Sequence, residues 1–110
     1  FHAVFEAAKA FNARVKEKSG IWDLDGQPLM NKVFSAQSPI IKVSPCRTDT
    51  EKNIQDGYRS LAAGLMAAIR NPTAHEPALS FPIGREEALE VLSLISYLFR
   101  CLEKAVPQKE

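Results

Sequence analysis

This sequence predicts an all-α domain, on three observations. Apolar residues recur at helical spacing over residues 1–18, 48–70 and 85–105. A shorter stretch through Pro28, Leu29, Met30, Val33 and Phe34 reads as one more helix. Against these stands a single β-branched run, Ile40-Ile41-Lys42-Val43, bracketed by Pro39 and Pro45, which suits one short strand or extended segment. With 110 residues, 45% hydrophobic and 25% charged, the chain is one globular domain over 1–110 rather than two.

The first helix carries Phe1, Val4, Phe5, Ala8, Phe11 and Val15 on one stripe, with Lys9, Arg14, Lys16 and Lys18 mostly off it. Ser19-Gly20 is its stop. Asp23 to Gly26 reads as a turn, and Pro28 occupies a first-turn position of the second helix. Thr48-Asp49-Thr50-Glu51 has capping-box spacing, each end satisfying an orphan main-chain donor. The helix it opens runs to about Arg70, with Ile54, Tyr58, Leu61, Ala62, Leu65 and Ile69 on one face. Gly57 and Gly64 inside it each weaken it by about 1 kcal/mol relative to alanine. Seven apart, they share a side, which predicts close approach of another backbone.

Residues 71–84 are a proline-rich loop. The last helix, about 85–105, starts on Arg85-Glu86-Glu87 and ends at Lys104, so its glutamates and its lysine complement the helix dipole. One stripe is Ala88, Leu92, Ile95, Phe99 and Leu102; a second is Val91, Leu94, Leu98, Cys101 and Ala105. So wide an apolar surface must bury two sides. One serves the intrachain core; the other is expected to meet a second chain or a segment preceding Phe1. Because the chain opens at Phe1 already in a helix, it reads as the C-terminal part of a longer protein.

A net charge of +1 makes no global case for a nucleic-acid or membrane partner. No apolar run approaches the ~20 residues of a membrane span, and no targeting signal is visible. Cys46 and Cys101 lack metal-ligand spacing and read as reduced thiols of a cytoplasmic protein. His2 reads as a surface residue near a frayed terminus, and Trp22 as core or interface.

The stretch with chemistry in it is Arg70-Asn71-Pro72-Thr73-Ala74-His75-Glu76. Pro72 cannot continue the long helix, and it pushes Asn71 out of the helical region. Arg70 thus stands at a rigid helix end with His75 just past the break. One is a permanent cation suited to phosphate, the other a proton carrier near neutral pH. The bland alternative is structural. Arg70 then caps its own helix or pairs with Glu76 or Asp56, and His75 bonds to backbone. Arg59 lies about 20° around the helix from Arg70, where it either extends a phosphate track or stands solvated or ion-paired. No second histidine or cysteine joins His75 at ligand spacing, so no metal is expected.

The run Gly57-Tyr58, Gly64 and Ile69 to Glu76 resembles the HEPN superfamily, and more closely its Ymh-type group of prokaryotic and phage proteins linked by context to defence systems. The resemblance extends to Asp25-Gly26-Gln27-Pro28-Leu29-Met30 with Phe34 and Pro39, and to Ala88-Leu89-Glu90 with Leu92 and Ser96. It covers most of residues 20–105. It implies an all-α HEPN-like bundle of four to five helices that pairs into a homodimer. It also implies an Arg-polar-x3-His motif lying across the dimer cleft, which in active members makes a metal-independent RNase. On this chain the motif is Arg70, Asn71 and His75; the departure is Pro72 with Glu76. The implied function is an endoribonuclease in a defence or toxin–antitoxin setting, without a cofactor, with RNA and an antitoxin or other protein as partners. Arg70 would hold the phosphate and His75 serve as general acid or base. Asn71 would position phosphate or orient His75, and Glu76 would fix the imidazole tautomer or raise its pKa. The alternative is a non-catalytic dimerisation or RNA-binding module of a larger defence protein.

Overall fold

The computed structural model describes residues 2–70 and 84–107, and it is mostly helical. Four α-helices are present among them: α1 His2–Ser19, α2 Gly26–Val33, α3 Asp49–Leu65 and α4 Arg85–Lys104. A five-residue π-helical turn, Met66–Arg70, prolongs α3. Strand β1, Ile41–Lys42, pairs antiparallel with β2, Val106–Pro107, in the register Ile41↔Pro107 and Lys42↔Val106.

Each helix boundary has a local cause. Gly20 takes φ 76° and its N–H bonds the Lys16 carbonyl at 2.9 Å, a glycine C-terminal stop. Thr48 Oγ1 accepts from the Glu51 N–H at 3.1 Å, so half of the capping box forms as read. The Glu51 carboxylate reaches back to the Arg47 N–H at 2.8 Å, one residue earlier than a standard box, because the Arg47 guanidinium also clasps it. That clasp chiefly, with the Arg47 and Thr48 amides, lowers the Glu51 pKa to about 2. The end of α4 is capped from outside: Lys18 Nζ donates to the Leu102 and Ala105 carbonyls.

Val4, Ala8, Phe11 and Val15 of α1 pack with Leu29, Met30, Val33 and Phe34, with the inner face of α3 and with Ile95, Leu98 and Leu102 of α4. Edge-to-face rings join Phe11 to Phe99 at 5.5 Å and Phe34 to Tyr58 at 4.9 Å. Arg14 clamps Glu103 with two bonds, at 2.7 and 3.0 Å, linking α1 to α4. The Tyr58 hydroxyl, its pKa raised by burial, donates to the Leu98 carbonyl at 2.6 Å.

Two buried amides do work that hydrophobic periodicity does not reveal. Asn12 accepts from the Gly26 N–H and donates to Asp25, both at 2.8 Å, which fixes the start of α2. Gln55, fully buried on α3, accepts from the Val43 and Ser44 amides and donates to the Phe34 and Ile41 carbonyls. One side chain thereby holds the end of α2, β1 and the loop after it against α3.

Ile54 and Leu61, which share a face of α3 with Tyr58, Ala62 and Leu65 by spacing, are 55% and 46% exposed. They sit at the rim of the α3 face, whose inward centre is Gln55, Tyr58, Ala62 and Leu65. Gly57 and Gly64 meet no heavy atom within 4 Å of a built Cβ, so no backbone among the described residues approaches them. Of the two readings of Trp22, core and interface, its 63% exposure removes the first. His2 is a surface residue, as read.

Candidate functional site

The helix that delivers the motif changes character before it ends. Met66–Arg70 winds as a π turn, a conformation that is rare and concentrates at functional sites. Met66 and Ile69 within it are buried, which anchors the turn to the core. A π turn carries an extra residue per hydrogen-bonded loop. The α-helical register behind the 20° offset of Arg59 from Arg70 is therefore broken. Arg70 is the last residue of this turn; its side chain, and Asn71, His75 and Glu76, lie outside the described residues.

Each of the three guanidinium nitrogens of Arg59 donates one hydrogen bond. Its Nε donates to Asp56 Oδ1 at 2.9 Å, Nη1 to Asn31 Oδ1 at 2.7 Å and Nη2 to Ser60 Oγ at 2.8 Å. This is the ion-paired alternative held open from the sequence, and it ties α3 to α2. Asp56 is thereby occupied by Arg59.

Beside the π turn runs an apolar groove of about 320 Å³, lined by Ser60, Leu61, Gly64, Leu65, Ala68 and Ile69 with Val91 and Leu94 of α4. It continues a surface row on the same helix, Ile54, Gly57, Leu61, Gly64 and Ala68. That row alternates three- and four-residue steps, the spacing of a helix–helix seam. Leu89 on α4 is also 54% exposed. The two glycines thus lie on the outward side of α3 and make no inward contact among the described residues. The spacing was legible in the sequence, but reading it required knowing which α3 face the core takes. On α4, Ile95, Leu98 and Leu102 are buried and most of both predicted stripes is half-buried.

Both cysteines are free and half-buried. Among the described residues no cluster of three or more His, Cys, Asp or Glu could hold a metal ion, and no helix is long and apolar enough to cross a membrane.

Taken together, the described residues form a small helical domain with a two-stranded clip, its helix α3 running into a π turn. A family of proteins of unknown function, Hypoth_ymh, matches residues 1–102, and the chain belongs to it. No curated protein and no solved structure matches the chain.

Proposed function

We propose that this protein is a metal-independent endoribonuclease of HEPN type that works as a homodimer in a defence or toxin–antitoxin context. The observation that supports this best is the π turn: its Ala68 and Ile69 line the apolar groove, and Arg70 follows directly. A second copy seated on the groove and on exposed Leu61 would bring two Arg70 residues, and the segments after them, to one cleft. In the cleavage step His75 of one copy takes the 2′-hydroxyl proton. The 2′-oxygen bonds to phosphorus, giving a 2′,3′-cyclic phosphate. The bond to the 5′-oxygen breaks, and that oxygen leaves with a proton from the other copy's His75. Arg70 stabilises the charge that builds on the equatorial oxygens. Asn71 and Glu76 orient these groups.

The test is incubation of the full chain with a panel of RNAs in the presence of a chelator. Cleavage should be abolished by His75→Ala and by Arg70→Ala, with melting temperatures unchanged. Cutting that survives His75→Ala removes the assignment. The second reading is a non-catalytic dimerisation or RNA-binding module, favoured by the net charge of +1 together with the apolar seam. A dimer that retains RNA without cutting it selects this reading.

A further inference from the structure

The far end of α3 carries a different arrangement. Two clefts adjoin there and share Lys42 as a common wall. The larger, about 700 Å³, is lined by Gln37, Lys42, Cys46, Lys52, Asn53 and Asp56 among others. The smaller, about 330 Å³, is lined by Lys42, Ser44, Cys101 and Lys104 with neighbouring apolar groups. Both lie within the roughly 300–1,000 Å³ of small-molecule sites. Lys52 opens α3 and Arg70 closes its extension, so the clefts lie roughly 25 Å from the end that carries the motif.

The charge distribution selects the ligand. Most other cations of the described residues are committed: Lys9, Arg14, Lys16, Arg47 and Arg59 to carboxylates, and Lys18 to carbonyls. Lys42, Lys52 and Lys104 have no ion pair among the described residues, and all three line these clefts. The carboxylate in the larger cleft, Asp56, is neutralised by Arg59. In the smaller cleft Ser44 is 6% exposed. Its hydroxyl is the buried side-chain polar atom that lacks a hydrogen-bond partner among the described residues. A buried hydroxyl without a partner is costly, and an oxyanion between two ammonium groups would supply one.

The loop that carries Ser44 is held by two side chains of α3. Gln55 accepts from the Val43 and Ser44 amides and Glu51 from the Arg47 amide, while Cys46 between them has φ 59°. Such a loop has little ordering entropy left to lose on binding.

We propose that these joined clefts bind a small phosphomonoester of nucleotide size. Its phosphate sits between Lys42, Lys104 and the Ser44 hydroxyl, and its polar body lies against Gln37 and Asn53. The inference stands apart from the nuclease reading. It is tested by calorimetric titration of the full chain with the four nucleoside monophosphates, glucose 6-phosphate, inorganic phosphate and adenosine. At least one organic phosphate should bind with Kd below about 1 mM, slowing alkylation of Cys46, whereas adenosine should not bind. Lys42→Ala and Ser44→Ala should each weaken binding about tenfold. Ser44→Ala should not lower the melting temperature, since it removes an unpartnered hydroxyl, and Lys32→Ala, outside both clefts, should change nothing. Absence of binding by every phosphate overturns the proposal. So does equal binding of inorganic phosphate and the organic phosphates, or affinity that survives both cleft variants.

Discussion

Replacing Gln55 by leucine should loosen one whole side of the domain. The amide makes four bonds, to the Val43 N–H at 3.0 Å, the Ser44 N–H at 3.3 Å, the Phe34 carbonyl at 3.2 Å and the Ile41 carbonyl at 3.0 Å. Each bond contributes about 1 kcal/mol net. Leucine at a fully buried position returns about 1 kcal/mol by burying apolar surface, which leaves a loss of about 3 kcal/mol. A chain of 110 residues melts with an entropy of about 0.23 kcal/mol/K, so the midpoint should fall by about 13 °C. Thermal unfolding followed by circular dichroism measures the shift, and urea unfolding measures the free energy. The loop bearing Ser44 should also lose amide-exchange protection, while α4 does not. A loss under about 1 kcal/mol, with Val43 and Ser44 still protected, would refute the view that this amide is the hub joining α2, β1 and α3.

The remaining predictions concern charge, the buried phenol and the seam. The folded Glu51 pKa of about 2 lies below the ordinary 4.5. Its contribution is therefore complete above about 4.5 and is lost as pH falls through about 2. Glu51→Gln should flatten that acid limb in melting temperature measured from pH 7 to pH 2. Tyr58→Phe removes the bond to the Leu98 carbonyl and should cost about 1–2 kcal/mol, read by urea unfolding; no change would mean that the carbonyl finds water. Asn12→Ala strips the partner from the buried Gly26 N–H and should cost about 2 kcal/mol, again by urea unfolding. Leu61→Glu puts a charge on a residue already 46% exposed. It should leave the monomer's stability within about 0.5 kcal/mol while light scattering reports a shift from dimer to monomer. An unchanged mass would move the proposed interface elsewhere.

What the sequence determined by itself is what short-range chemistry controls. The stripe through Val4, Ala8, Phe11 and Val15, the glycine stop at Gly20, the threonine cap at Thr48 and the acidic start of α4 all depend on partners within a few residues. They are legible because helix periodicity and capping repeat the same local geometry wherever they occur. The candidate motif was legible in the same way, as a cation, a proline break and a histidine in one short run.

The tertiary structure decided which side of each helix is inside. Gln55 is buried because it meets main-chain groups up to 21 residues away, and Tyr58 is anchored 40 residues away. Ile54 and Leu61 are apolar yet exposed, since the inward centre of α3 lies on the other side of its apolar face. β2 forms because Lys42 and Ile41 offer an edge to Val106 and Pro107, and an edge strand is where a sheet accepts proline. The Ser44 clefts likewise exist because β1, α3 and the end of α4 converge. Local rules fix a backbone shape one turn at a time. Which polar group is buried, and which apolar row is left exposed, follows from packing among segments far apart in the chain.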